Sequence, residues 1–266
     1  MCEQFKVSIV IVCLNARDHF ECTINSVFSQ TYQNIEKIVI DGGSKDGTIE
    51  EVNKYKDRLD VFISEPDDGI YDAMNKGISY ASGDIIYFLN CGDYLSDKEI
   101  ISKVVNIFLK NPNSHIVYGD TIEYNFSGVQ IYKKNFKESV VHLITQCGIY
   151  HQAIFAKREL FQFKDKKAFD TKYKMFSDQN WLLDSVLKTE TKLIYIDIPV
   201  NYYLMGGFSQ LKYRDYSAEK LHIIFKNARK LLNLKLIIKY PKEYAYLSVL
   251  ILWLFAHSIR AFILRL

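Results

Sequence analysis

Apolar positions in the first half of the chain fall into short unbroken runs separated by segments of helical spacing. "KVSIVIVCL" (6–14), "IEKIVIDG" (35–42), "LDVFIS" (59–64) and "GDIIYFLN" (83–90) read as strands. Runs that are apolar on both faces predict a parallel sheet covered by helices on each side. Between them, "RDHFECTINSVFSQ" places Phe20, Ile24, Val27 and Phe28 on one helix face. "SKDGTIEEVNKYK", "GIYDAMNKGISYA" and "KEIISKVVNIFLKN" continue the alternation. After the strand "HIVYGD" (115–120) the pattern changes. "TIEYNFSGVQIYKK" predicts a hairpin with a Ser-Gly turn, and "GIYHQAIFAKREL" a strand running into a helix. "SDQNWLLDSVLK" predicts a helix, and "KLIYIDIPVNYYLMGGFS" a strand ending in a glycine-marked loop. From Tyr213 onward the chain reads as helical. The expectation is an α/β fold with a mostly parallel sheet flanked by helices, a domain over 1–210 and a helical region over 211–266.

Composition sharpens this in three respects. With 266 residues, 48% hydrophobic, and only 12 Gly and 4 Pro, the chain can bury a core. The five cysteines (Cys2, Cys13, Cys22, Cys91, Cys147) are scattered without a Cys-x-x-Cys pair, which points to buried thiols of a reducing compartment. The N-terminus lacks the basic start and cleavage pattern of a signal peptide. Charge is uneven: residues 209–266 hold 11 Lys and Arg against 3 Asp and Glu, a net +8, within a chain of net +3. An acidic body with a basic, Leu- and Ile-rich tail suits an anionic membrane surface. No aromatic-and-basic RNA motif is present, so nucleic acid is not expected as a partner.

In open α/β sheets ligands bind at the carboxyl ends of the strands. The loops at Asn15, Asp41, Glu65–Asp68 and Asn90–Asp93 are therefore expected to share one rim. Asp41 in "IDGGSKDGT" follows its strand directly, and two glycines let a ligand approach the backbone. The alternative is a turn whose Asp caps the next helix. Neither the P-loop nor the dinucleotide glycine pattern occurs. In "EPDDGIYDAMNKGI", Asp72, Asn75 and Lys76 are i, i+3, i+4 neighbours on one face. Asp68 reads equally as an N-cap and Asp67 as part of a solvated face, whereas Asn75 is an indifferent helix former in mid-helix.

"VSIVIVCLNA", "IVIDGGSKDGT", "EPDDGIYDAMNKGI" and "GDIIYFLNCGDYL", in that order and spacing, resemble the inverting glycosyltransferases of family 2. That family has the GT-A fold, a Rossmann-like nucleotide-diphospho-sugar transferase architecture. The likeness runs from Val7 to about Ser209 and is to bacterial enzymes that build surface polysaccharides of the colanic-acid type. It implies that Asn15 and Asp41 line a nucleotide pocket. An aspartate accepting the imide N–H of uracil favours a UDP-sugar donor, with dTDP- and GDP-sugars left open as alternatives. It also implies that Asp68 and Lys76 contact the base or the diphosphate. The family's metal motif, two or three acids after the fourth strand, is written here as Asn90, Cys91, Gly92, Asp93. The implied Mg²⁺ or Mn²⁺ would have Asp93 as its single carboxylate ligand beside diphosphate oxygens and water. Asn90 would offer at most a carbonyl oxygen, and Cys91 is a poor ligand for a hard ion. Asp178, at the start of a helix it would also suit as a cap, matches the family's catalytic base. Asp170 and Asp184 are its rivals, Asp184 reading as a surface residue. His151 and Gln152 match a His-Gln pair near donor sugar or acceptor. A downstream metal-binding His is missing around "YYLMGGFSQ", where Gly206–Gly207 suggest a closing loop.

The uninterrupted apolar core of the tail, Leu247 to Ala256, is followed by His257, Arg260 and Arg265, and is short against the ~20 residues of a membrane span. An interfacial helix on the cytoplasmic leaflet fits the basic flanks better than a span. The alternative is a helix packed on protein. The resulting expectation is a metal-dependent inverting transferase, peripheral on the inner membrane face. It would move a sugar from a nucleotide donor to a polyprenyl-diphosphate-linked saccharide. A binding protein without catalysis is the alternative. A nucleotidyltransferase would need a Gly-rich, basic N-terminal loop that is missing.

Overall fold

The structure, a computed structural model, describes residues 5–133, 149–163, 167–188, 191–206 and 217–231. Strands β1 (Val7–Cys13), β2 (Ile35–Asp41), β3 (Val61–Ser64) and β4 (Ile85–Asn90) alternate with helices α1 (Arg17–Phe28), α2 (Thr48–Asn53) and α3 (Ile70–Tyr80). A two-residue strand β5 (Tyr94–Leu95) and helix α4 (Ile100–Lys110) lead to the long strand β6 (Ile116–Tyr124). Then come β7 (Gln130–Lys133), β8 (Ile154–Lys157), helix α5 (Ser177–Lys188), β9 (Leu193–Leu204) and helix α6 (Ser217–Leu231).

All seven residues of β1 are buried, as an apolar run at the centre of a two-sided sheet requires. The strand order is β3-β2-β1-β4-β8-β6-β9-β5, with β7 paired to β6. β3, β2, β1 and β4 are parallel. β8 then enters antiparallel between β4 and β6, so the second half of the sheet is mixed. Chain order reverses between β1 and β4, the switch point at which open sheets bind ligands.

Two cores cover the sheet. One packs Phe20, Ile24 and Val27 of α1 and Val104, Val105 and Phe108 of α4 against Ile9, Ile11 and Leu89. The other packs Tyr71, Ala73 and Met74 of α3 and Trp181 and Leu182 of α5 against Val10, Ile38 and Phe88. Tyr87 and Phe155, cross-strand partners of β4 and β8, stack with ring centroids 4.2 Å apart and planes within 8° of parallel.

Two sequence expectations need correction, and a third, the hairpin, forms with its first arm starting earlier. "GIYHQAIFAKREL" is not strand into helix: a 3-10 turn at His151–Ala153 precedes the short β8, and a second 3-10 turn, Arg158–Phe161, follows it. The hairpin forms around Gly128 at φ 81, but its first arm is the unbroken continuation of β6 past Asp120. Asp184, expected at the surface, is buried at 2% exposure, because α5 is enclosed by the sheet on one side and meets α6 on another. The boundary near 210 and the tail from 232 lie outside the described residues. Among the described residues no helix is long and apolar enough to cross a membrane.

α3 approaches β1 closely at Gly77, where a Cβ would overlap Cγ1 of Val10. Gly77→Ala is expected to destabilise by about 1–3 kcal/mol, the cost of overpacking a filled core. Denaturant melts of Gly77→Ala, Val10→Ala and the double variant check this. The double variant should lose less than the sum of the two single changes.

Candidate active site

The rim begins with backbone bonds. The N–H of Gly42 donates to the Cys13 carbonyl at 2.9 Å, that of Cys91 to the Val12 carbonyl at 3.0 Å, and that of Glu65 to the Asp41 carbonyl at 3.1 Å. The four strand-end loops expected to share an edge are thus laced to one another.

Asp41 is fully buried and faces inward. Its Oδ2 accepts from the N–H groups of Gly43 (3.1 Å) and Ser44 (3.0 Å) and from the Ser64 hydroxyl (2.7 Å). The Ser44 hydroxyl donates to Oδ1. This fold-back fixes the Gly42–Gly43–Ser44 loop and takes up the acceptor capacity expected for uracil. Asn15, exposed and at φ 48, joins the same loop: its N–H donates to Ser44 Oγ at 2.7 Å and its Oδ1 accepts from Lys45 N–H at 3.0 Å. A positive φ is tolerated by Asn better than by most residues. Asp67, read from the sequence as part of a solvated face, is half-buried against this loop. A Cβ on Gly42 would overlap its Oδ2, while its Oδ1 accepts from Gly69 N–H at 2.8 Å. The sequence signal for this contact is Gly42 itself, whose missing side chain leaves the space that the Asp67 carboxylate fills. Burial pushes the Asp67 carboxyl up.

Lys76 reaches the loop before α3, bonding the Pro66 carbonyl and Glu65 at 2.9 Å each, with Asp72 at 3.6 Å. Asp72 is also held by Lys167 at 2.9 Å, which lowers its carboxyl pKa. Asp68 is exposed, and its carbonyl accepts from Lys174 Nζ at 3.0 Å. The mid-helix Asn75 is a backbone clamp: Nδ2 donates to the Phe169 carbonyl (2.7 Å) and Oδ1 accepts its N–H (3.0 Å). That clamp holds the segment leading into α5 against α3.

Asp178 lies in the first turn of α5 with its side chain 16% exposed. Oδ1 accepts from Gln179 N–H at 2.8 Å. It lies 2.9 Å from the Tyr71 hydroxyl, which also reaches the Met175 carbonyl at 2.5 Å. Burial and the Asp178 charge together push the Tyr71 phenol well up. Oδ2 is 3.1 Å from Nδ1 of His151, whose Nε2 is 3.3 Å from Oδ1 of Asn90. The structure therefore brings Asp178, His151 and Asn90 into one line. Asp170 instead pairs with Lys172 at 3.0 Å. Beside the line is an apolar recess that includes Phe88, Phe161, Phe169 and Trp181.

The turn carrying His151 is fixed from below. Tyr87 donates to the Gln152 carbonyl at 2.7 Å, and Gln152 Nε2 donates to Asp93 Oδ2 at 2.8 Å. Asp93 Oδ1 accepts from Leu204 N–H at 2.8 Å. At 3% exposure, this carboxylate has both oxygens committed to internal donors. Burial raises its pKa to about 7, against the opposing pull of the Leu204 and Gln152 hydrogen bonds. Gly92 sits at φ 101, and a Cβ there would meet Leu204 Cδ2 at 2.9 Å. Cys91 packs against the core beside Cys13. The ion implied by the resemblance needs carboxylate oxygens turned outward. This loop turns none outward, and among the described residues no three His, Cys, Asp or Glu side chains group to hold a metal. The residues present do not fit a protein-held Mg²⁺ or Mn²⁺, so the metal role expected of Asp93 gives way to a structural one.

Comparison with known proteins places the chain. The family described as Glycosyl transferase family 2 matches residues 8–186. The chain belongs to that family and is a glycosyltransferase by its membership. A PGL/p-HBAD biosynthesis glycosyltransferase of Mycobacterium tuberculosis is 27% identical over 206 residues, 76% of this chain and 78% of its own. A glycosyltransferase of Haemophilus influenzae is 35% identical over 130 residues, covering 47% of this chain and 50% of its own. S. aureus TarS 1-349 in complex with UDP superposes with a TM-score of 0.68 at 19% identity. The match covers 86% of this chain and 66% of TarS 1-349, just under two thirds. Mannosyltransferase PcManGT from Pyrobaculum calidifontis, in complex with GDP-Man and Mn²⁺, superposes at 0.64 with 15% identity, covering 93% and 75%. These structures share the GT-A fold.

The Asp93 lock has a pH signature. Its folded pKa, about 7, lies above the ordinary carboxylate value, so the folded state binds the extra proton between about pH 4 and 7. Stability from this group is full below that window and is lost as pH rises through it. Thermal melts from pH 4 to 8 should show this decline in wild type and a flatter profile in Asp93→Asn. In that variant Gln152 can turn its Oε1, buried and without a partner among the described residues, toward the new amide. Asp93→Ala, stranding two donors, should cost about 1–3 kcal/mol.

Proposed function

We propose that this chain transfers a sugar, with inversion, from a nucleoside-diphosphate donor to an acceptor hydroxyl, Asp178 acting as general base. The observation that carries the reading is the carboxylate at the start of α5, oriented by Tyr71, Gln179 and His151. Of about four lone-pair sites on a carboxylate, three are used, which leaves one to accept the acceptor's proton. In that step the acceptor O–H breaks to Asp178 as its oxygen bonds to the anomeric carbon, and the bond to the diphosphate breaks with its electron pair. No step is assigned to Mg²⁺ or Mn²⁺.

A UDP-sugar is the donor class tested first. Support comes from the family, and from the fold shared with TarS, itself solved with UDP and with UDP-GlcNAc. Asn15, Asp67, Asp68 and Lys76 border the rim where the nucleotide would lie. The acceptor is proposed to be a polyprenyl-diphosphate-linked saccharide of a surface polysaccharide, reached at the inner membrane face. The basic, apolar sequence of residues 211–266 supports that placement. One observation favours binding without catalysis instead: Asp41 and Asp93, the rim's most buried acids, are closed onto the protein. Turnover separates the two readings.

In a donor screen that follows nucleotide release with a polyprenyl-linked acceptor pool, wild type should turn over one UDP-sugar. Asp178→Asn should lower kcat about 10²–10⁴-fold with donor KM little changed; undiminished turnover would remove Asp178 as the base. In flotation with anionic vesicles, the full chain should rise with the lipid and a chain ending at Lys230 should not. Equal behaviour of the two would sink the membrane placement.

A further inference from the structure

Among the groups that direct the Asp178 carboxylate, the Tyr71 hydroxyl has one proton and two acceptors. It lies 2.5 Å from the Met175 carbonyl and 2.9 Å from Oδ1 of Asp178. A phenol has a single O–H to donate, so the place of the Met175 carbonyl decides how much of that bond reaches the carboxylate. Residues 167–176, which carry this carbonyl, lie outside helix and strand. Asn75 clamps the segment to α3 at Phe169, and its far end runs into α5.

The middle of the segment is tied to α6. Glu219, half-buried in the first turn of that helix, accepts from the N–H of Lys174 through Oε1 at 2.8 Å. Its Oε2 accepts from the N–H of Met175 at 3.0 Å. Backbone N–H bonds to a carboxylate are charge-assisted, and two of them on two oxygens fix direction as well as distance. The helix that brings this carboxylate is itself seated. Ile223 and Ile224 are buried, and the His222 ring stands 5.9 Å from that of Tyr173. The same segment reaches the donor side, where Lys174 Nζ donates to the Asp68 carbonyl at 3.0 Å. Burial and the Asp178 carboxylate push the Tyr71 phenol up, and the Glu219 charge adds to them. Two carboxylates thus bear on one hydroxyl.

We infer that Glu219 is a positioning residue for the transfer: it holds the Lys174–Met175 backbone, sets the Met175 carbonyl against Tyr71, and through the Tyr71 hydroxyl aims the Asp178 carboxylate. It touches neither the substrates nor the proton that moves. The seating of α6 is thereby part of the frame of the base. The inference rests on the transferase reading.

The test uses the full chain. Glu219→Ala should lower kcat about 10- to 10²-fold, the scale on which a displaced catalytic group costs rate, with donor KM within about twofold of wild type. Glu219→Gln, which keeps one acceptor oxygen, should lose less, and it carries the same comparisons where the alanine variant does not fold. The effect has to run through Tyr71. In a Tyr71→Phe background the same change at 219 should cost less than about twofold more, because the hydroxyl it places is gone. A residue that only steadies the fold would lower kcat by one factor in both backgrounds. Independently of turnover, ¹⁹F NMR of protein labelled with 3-fluorotyrosine should show the Tyr71 line, identified by its loss in Tyr71→Phe, moved in the Glu219 variants. Wild-type kcat in the Glu219 variants, equal losses in the two backgrounds, or an unmoved Tyr71 line would each overturn the inference. Failure of every donor with wild type counts against the transferase reading instead, and the ¹⁹F line still judges the link from Glu219 to Tyr71.

Discussion

A carboxylate taken out of water has to be given donors, and Asp93 draws its two from segments far away in the chain. One is the N–H of Leu204 at the end of β9; the other is the amide of Gln152 in the turn before β8. The loop after β4, the last long strand and the His151 turn are thereby pinned to one buried group. Removing this tie would free the three pieces to move separately, and with them Asn90 and His151. The rest of the site inherits its geometry from that knot. The Tyr87 hydroxyl on the Gln152 carbonyl and the Asn75 clamp on Phe169 extend the same principle from the sheet and from α3.

Much of the architecture was legible because the two central strands obey one simple rule. A strand buried on both faces has few polar positions to spare, so β1, Ser8 apart, and β4 appear as apolar runs and their ends as abrupt polar loops. Local pattern failed where pairing decided the outcome. Residues 148–160 were read as strand into helix, yet β8 forms because a slot between β4 and β6 captures four residues of it. No window of sequence contains that slot. Asp184 was misread for a related reason: its helical periodicity does not reveal that α5 is covered on more than one side.

The site residues divide in the same way. Their positions at strand ends and at the start of α5 followed from the pattern, but their directions did not. Asp41 and Asp93 were read as ligand-facing because they are acids at a ligand edge. Both instead satisfy backbone and side-chain donors of their own loops. An acid after a strand can face either way, and only the donors that surround it decide. Tyr71 was overlooked and Asp67 read as solvated because each acts through a partner in a distant segment, Asp178 in one case and the space left at Gly42 in the other.

The substitutions along the rim are linked by a steric and electrostatic logic. Gly92 leaves room for Leu204, which must come close for its N–H to reach Asp93. An aspartate at 92 would collide with Leu204 and would set a second negative charge near Asp93, whose own charge burial already disfavours. Asn90 in place of an acid likewise spares the line a further negative charge and gives His151 a neutral acceptor. A glycine, an asparagine and a buried aspartate in one short loop are thus parts of one arrangement. It makes a rigid support beneath the His151 turn, and that support fixes where Asn90 and His151 meet.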